Sequence, residues 1–274
     1  MPLPPLREVV AAHGLDARRS LGQHFLLDAG VCVRIAALAA PLAGRHVVEV
    51  GPGPGGLTRA LLDAGAETVT AVELDRRAVA ALAGLAAAHP GRLRVVEADA
   101  LAVDAAALAP APRKVVANLP YNIATPLLVG WLRRAAEFES LTLMFQQEVA
   151  ERIVAAPGSD AYGRLAVLAG RRCAARIAMR LPPGAFSPPP KVWSAVVVLT
   201  PRPDQPDPAL AEALERVAAA AFGQRRKMLR GSLRALGGDA EALLRDAGLD
   251  PTRRAETLTL DEFEALARAH LARA

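Results

Sequence analysis

Cysteine is scarce in this chain of 274 residues: there are two, Cys32 and Cys173, far apart and without ligand spacing. Both lie in apolar surroundings, which predicts buried free thiols in a reducing cytosol rather than a disulfide or a metal site. The five histidines (His13, His24, His46, His89 and His270) form no H-x-x-x-H pair, so no metal is expected. No run approaches the ~18 apolar residues of a membrane span. The opening Met1-Pro2-Leu3-Pro4-Pro5 has no apolar signal-peptide region. The expectation is a cytoplasmic protein with no membrane partner. Internal repeats are absent as well.

What is present is ample apolar material and a mild basic excess. Hydrophobic residues make up 52% of the chain, much of it alanine, which favours helix. Lysine and arginine number 33 against 28 acidic residues, a net of +5. The excess is uneven, with clusters at Arg18-Arg19, Arg171-Arg172 and Arg225-Arg226-Lys227. Such clusters fit an anionic polymer as partner, whereas isolated arginines read as solvated surface.

The chain is organised around Val47-Val48-Glu49-Val50-Gly51-Pro52-Gly53-Pro54-Gly55-Gly56. An apolar run reads as a buried strand, the glycines as a turn, and residues 57–62 as a helix. Ligands of open α/β sheets sit at such strand ends. Gly51, Gly53 and Gly56 also match the dinucleotide spacing G-x-G-x-x-G. Glu49 before the turn opposes a pyrophosphate and suits a cationic ligand. Further strands are expected over 68–73, 93–97, 114–117 and 141–145, alternating with helices, with a last antiparallel pair over 176–181 and 193–199. Alternation of this kind predicts a mostly parallel sheet with crossover helices, an α/β Rossmann-like fold. Four prolines within residues 200–208 read as a stiff linker. It divides a domain over 1–203 from a small all-helical one over 204–274, with helices at 209–222, 225–236, 240–247 and 260–272.

Three strand ends carry acids. Glu49 ends the first strand. Glu73 follows Gly51 by the spacing at which a carboxylate reaches a ribose diol, although a helix cap is the other reading. Asp99 is placed to meet an adenine amine, although a turn residue fits equally well. The ordered set beside a glycine turn suits S-adenosylmethionine: a positive sulfonium, no phosphate, a ribose diol and an adenine. Residues 17–28 are basic and then apolar, and they read as a segment that docks on this site.

The sharpest element is Asn118-Leu119-Pro120-Tyr121 at the end of the fourth strand. The exocyclic amine of adenine is a poor nucleophile because its lone pair is delocalised into the ring. Two acceptors, the Asn118 side-chain oxygen and the Pro120 carbonyl, would hold its N–H bonds out of the ring plane. Tyr121 would stack on the base. Catalysis then rests on orientation rather than on a strong base.

Together with Leu21-Gly22-Gln23-His24-Phe25-Leu26, Phe186-Ser187-Pro188-Pro189-Pro190-Lys191-Val192-Trp193-Ser194 and Phe222-Gly223-Gln224-Arg225-Arg226-Lys227-Met228-Leu229-Arg230, these motifs resemble the ribosomal RNA adenine dimethylases. The resemblance covers nearly the whole chain, and it is greatest to the small-subunit branch. It implies dimethylation of two adjacent adenines in the 3′-terminal hairpin of 16S rRNA, with a role in small-subunit biogenesis. It also implies cofactor binding at His24, Leu26, Gly51, Glu73, Asp99 and Asn118, to which the turn adds Gly53. His24 stands where many relatives have asparagine. By the same resemblance Phe186 packs on the target adenine opposite Tyr121, and Lys191 contacts RNA; a proline-caged core residue is the other reading of Phe186. Arg225, Arg226, Lys227, Arg230 and Arg234 are expected on one helix whose basic face is free for phosphates. The target adenine must leave its stack to reach Asn118. The expected partner is 16S rRNA or a small-subunit precursor, and the protein is expected to be a monomer. A large-subunit (23S) rRNA dimethylase and a non-catalytic RNA-binding assembly factor are the alternatives.

Overall fold

The structure is a computed structural model that describes residues 3–16 and 22–273. The pair Arg18-Arg19 and Leu21, part of the expected docking segment, lie outside the described residues. The chain divides into two compact units, residues 1–150 with 176–201 and residues 151–175 with 202–274. The expected division was one cut after 203. Instead, residues 151–175 join the C-terminal stretch, because Tyr162, Ala166 and Val167 bury themselves in its helical core.

The first unit begins with α1 (Leu6–Ala12), β1 (Phe25–Leu26) and α2 (Ala29–Leu38). Asp28 caps α2, its carboxylate accepting the Val31 N–H at 3.1 Å. There follow β2 (His46–Val50), α3 (Gly56–Asp63), β3 (Thr68–Glu73), α4 (Arg76–Ala88), β4 (Leu93–Glu97), β5 (Arg113–Asn118), α5 (Tyr121–Arg133) and β6 (Ser140–Gln146). Next come α6 (Gln147–Ile153) and α7 (Arg164–Arg172), then β7 (Cys173–Leu181), β8 (Phe186–Ser187) and β9 (Ser194–Pro201).

Seven strands form one sheet in the order β4-β3-β2-β5-β6-β9-β7. The five from β4 to β6 are parallel to their neighbours, and β9 runs antiparallel to β6. This is the mostly parallel α/β sheet expected from the alternating pattern. Val47, Val48 and Val50 of β2 are all buried. A central parallel strand is covered on both faces, which is why valines occupy consecutive positions and only Glu49 interrupts them. The buried Lys114 on β5 is held by the Ala39 carbonyl at 2.8 Å and by Glu139 at 3.2 Å, so its charge is paired. The register aligns Glu49 with Ala71, Glu73 with Glu97, and Asn118 with Met144. The ends of β2, β3 and β5 therefore share one edge of the sheet.

A second, two-stranded sheet was not foreseen. β1 pairs antiparallel with β8, Phe25 opposite Ser187 and Leu26 opposite Phe186. Phe186 is consequently buried in the core with Leu26, Met144 and Leu181.

The second unit holds α7 with α8 (Pro208–Gly223), α9 (Leu229–Ser232), α10 (Ala240–Asp246) and α11 (Leu260–Leu271). Asp207 caps α8 and Pro208 opens it. Thr259 and Glu262 form a capping box on α11. Leu214, Val217, Leu233, Leu244 and Phe263 make the core. One expectation fails here: residues 225–236 are not a single helix. Residues 224–227 form a turn, α9 is one turn long, and a 3-10 turn follows over Leu233–Leu236. The backbone donors explain the break. Leu229 N–H goes to the Arg253 carbonyl at 2.8 Å and Arg230 N–H to Pro251 at 3.1 Å, not to carbonyls one helical turn earlier.

Cys32 and Cys173 are buried free thiols, both pushed up to about 12 by burial. Among the described residues no helix is long and apolar enough to cross a membrane.

Candidate active site

The shared edge of β2, β3 and β5 opens into a cavity of about 250 Å³. Its walls come from residues 22–26, the glycine turn, the ends of β3 and β4, and residues 118–123. Every residue expected to bind cofactor lines it: His24, Leu26, Gly51, Gly53, Glu73, Asp99 and Asn118. Pro120 and Tyr121 line it too, but Phe186 does not.

The glycines serve the chain's own packing as well as any ligand. A Cβ on Gly53 would lie 2.8 Å from the Phe25 ring, and one on Gly56 would lie 2.8 Å from the Leu26 carbonyl. Gly53 also has φ +54°, a region that side chains rarely adopt. These two positions are empty so that residues 25–26 can settle onto the turn. Gly51, at φ +68°, faces Pro120 across the site, where a Cβ would come to 3.3 Å.

Segment 22–26 is fastened at further points. The Gln23 side chain donates to Asp75 at 3.1 Å. Asp75 caps α4 and pairs with Arg77 at 2.7 Å. The Arg77 guanidinium is the main cause that holds this carboxyl down at about 2. The His24 ring Nδ1 lies 2.8 Å from the Pro188 carbonyl, and the ring is 5.5 Å from that of Tyr121. The His24 carbonyl accepts the Asn118 amide at 3.0 Å. With its nitrogen so used, Asn118 keeps its side-chain oxygen as an acceptor.

The acids differ in state. Glu49 is buried and accepts from the Thr58 hydroxyl at 2.7 Å. Burial, opposed by that bond and assisted by nearby Glu73, pushes its carboxyl up to about 8. Glu73 receives three backbone N–H groups: Leu74 at 2.8 Å and Asp75 at 2.9 Å on one oxygen, Gly53 at 3.1 Å on the other. Burial still raises it above the ordinary carboxyl value. Asp99 has one oxygen on the Leu101 N–H at 2.9 Å, so it is a turn residue as well as a cavity residue. Among the described residues, no lysine or arginine lines the cavity. A pyrophosphate would have no cation there. A cationic, phosphate-free adenosyl compound meets three carboxyls, and the donor set fits S-adenosylmethionine.

One expectation needs revision and another meets a competing donor. The Pro120 carbonyl accepts the Ile123 N–H at 3.1 Å at the start of α5, so one of its two lone pairs serves the helix. Phe186 is covered because β8 is paired to β1. Other participants were missed. Thr58 holds Glu49 across the turn, and Ser194 Oγ lies 2.6 Å from the Tyr121 hydroxyl. Both pairs are set by the fold, with no signal in local spacing. In the second unit Arg225 donates to the Asp160 carbonyl and, at 3.0 Å, to that of Tyr162. It ties down backbone, while Arg226, Lys227 and Arg230 are exposed. Lys191 is exposed in the first unit.

Fold and site together define an S-adenosylmethionine-dependent methyltransferase. The model of the family described as ribosomal RNA adenine dimethylase matches residues 14–269, and the chain belongs to that family. The Gluconobacter oxydans protein "Ribosomal RNA small subunit methyltransferase A" is 64% identical over 98% of this chain and 88% of its own length. The Rhodospirillum rubrum protein of the same name is 60% identical over 97% of this chain and 92% of its own. Among solved structures, the 23S rRNA methyltransferase ErmE is 29% identical with a TM-score of 0.66, covering 89% of this chain and 98% of that one. A dimethyladenosine transferase from Plasmodium falciparum shares the fold at a TM-score of 0.74 and 24% identity, covering 89% and 96% of the two chains.

The state of Glu49 has a stability consequence. Its carboxyl keeps its proton in the fold up to about pH 8 but loses it near 4.5 when unfolded. Stability due to this group is therefore full below about pH 4.5 and declines as pH rises to about 8. Glu49→Gln should remove that decline: urea midpoints at pH 5 and pH 8 should converge relative to wild type. Parallel shifts at both pH values would mean that Glu49 is ionised in the fold.

Proposed function

We propose that the protein dimethylates the N6 amines of two adjacent adenines in the 3′-terminal hairpin of 16S rRNA and so contributes to small-subunit biogenesis. The observation that carries the reading is the Asn118 amide fixed by the His24 carbonyl beside a cavity of carboxyls. The small-subunit choice rests on relatives of that name at 60% identity and above, against 29% for the 23S enzyme. Such a substrate belongs to the cytoplasm, where the enzyme acts as a monomer on rRNA or a subunit precursor.

When bound, S-adenosylmethionine supplies an electrophilic methyl group. Gly51, Gly53, Glu73, Asp99 and the backbone of residues 24–26 would hold it. The Asn118 oxygen accepts one N–H of the adenine amine. The second acceptor is a carbonyl of the same wall: that of Pro120, which gives one lone pair to α5 and keeps the other, or that of Leu119, one residue earlier. Tyr121 offers a ring face to the base. Burial raises its phenol above the ordinary value, so it works as a ring and not as a base. Arg226, Lys227 and Arg230, with Lys191, bind phosphates, and Arg225 shapes the turn that carries the first two.

In methyl-transfer assays the protein should label 16S substrate and leave 23S substrate unlabelled; labelling of 23S alone would overturn the reading. Asn118→Ala should abolish transfer while cofactor affinity by calorimetry stays within about tenfold, or ~1.4 kcal/mol. Unchanged turnover would remove the amine-holding role. Replacing Arg226, Lys227 and Arg230 by glutamine should weaken RNA binding and flatten the slope of log affinity against log salt by roughly 0.9 for each duplex phosphate that is no longer neutralised. An unchanged slope would mean that the RNA binds elsewhere.

A further inference from the structure

Trp193 has no part in the site described so far, yet the residue is 49% exposed, in a chain with only two tryptophans. Val192 beside it is 45% exposed, and Lys191 is exposed as well. An exposed indole costs apolar surface in water. Its backbone is fixed: the Trp193 carbonyl accepts the Gln147 N–H at 2.9 Å. Position adds the second observation. β9 runs antiparallel to β6 with Ser194 opposite Gln146. The start of β9 therefore lies at the carboxyl end of β6, the edge of the sheet that holds the cavity. Ser194, the next residue, is buried and bonded to the Tyr121 hydroxyl at 2.6 Å. Trp193 thus stands directly outside the residue that holds the base-facing tyrosine.

The geometry points to a base-stacking platform: Trp193, with Lys191 for the adjoining phosphate, receives a nucleotide flanking the target adenine. The inference rests on the rRNA adenine reading and extends it to a neighbouring base. A target adenine drawn from its stack leaves its neighbours without a partner on one face. An indole offers that face without regard to sequence, and a lysine two residues away supplies the countercharge. Val192 extends the apolar floor. A stacking contact outside the reacting centre binds ground state and transition state equally, so it acts on KM and leaves kcat alone.

The experiment uses the full chain and a hairpin RNA oligonucleotide with two adjacent loop adenines. Methyl transfer by the wild-type protein to this RNA, or to a small-subunit precursor where the hairpin alone is not accepted, is the control for the parent reading; failure on both overturns that reading and not the platform alone. Given transfer, Trp193→Ala should raise the RNA KM about tenfold, equivalent to ~1.4 kcal/mol. Turnover and cofactor affinity should stay within about twofold, and Trp193→Phe should recover most of the loss. Trp131 is buried in α5. In a Trp131→Phe background the remaining indole should be quenched on titration with the RNA. An unchanged KM with unquenched fluorescence would overturn the platform. So would a fall in kcat and cofactor affinity together, which would mark a structural role. Quenching by RNA-free small-subunit proteins, with none by the RNA or by the particles' RNA, would overturn it too, by assigning the face to a protein partner.

Discussion

The hydrogen bond from the Asn118 amide to the His24 carbonyl is the constraint on which the site depends. It joins the end of β5 to a segment that precedes the whole sheet. It also sets the orientation of the Asn118 amide: the nitrogen is turned to the His24 carbonyl, and the side-chain oxygen is kept as an acceptor. The bond exists only if residues 22–26 lie where they do. That placement requires bare backbone at Gly53 and Gly56, the Gln23–Asp75 contact, and the β1–β8 pairing. The turn that looked like a ligand cradle is also the seat of the chain's own N-terminal segment.

Electrostatics gives the cavity its selectivity. Carboxyls gather at three strand ends, and within the described residues no lysine or arginine answers them. Glu49 responds to burial by holding its proton to about pH 8. Glu73 is cradled by three N–H groups and yet raised. A cationic ligand relieves both conditions, and a polyphosphate relieves neither. A spacing match to the dinucleotide motif is thus overruled by charge.

Most of the fold was legible because it is local. Apolar runs such as residues 141–145 of β6 and the valines of β2 follow from a parallel sheet buried on both faces. What escaped notice depends on partners distant in sequence. The two-residue strands β1 and β8 have no periodicity to read, and their pairing joins Leu26 to Phe186 across most of the first unit. Phe186 consequently looked available for a base when it is buried. Arg225 looked like part of a basic helix face, but carbonyls of residues 160 and 162 claim it, and donors at 229 and 230 bond to the 251–253 loop. Helix propensity says nothing about such competitors.

The same dependence on distant partners joins the cavity wall of residues 22–26 to that of residues 118–121. Segment 22–26 lines the cavity, fixes Asn118 through a carbonyl, and sets the His24 ring against Tyr121. Tyr121 is in turn held by Ser194 at the start of β9. Anything that orders residues 22–26 therefore orders both acceptor and stacking ring. A reaction that relies on orientation, as proposed for this site, gains most from such shared support. Residue 24 contributes at both ends, its carbonyl to Asn118 and its ring to Tyr121 and the Pro188 carbonyl.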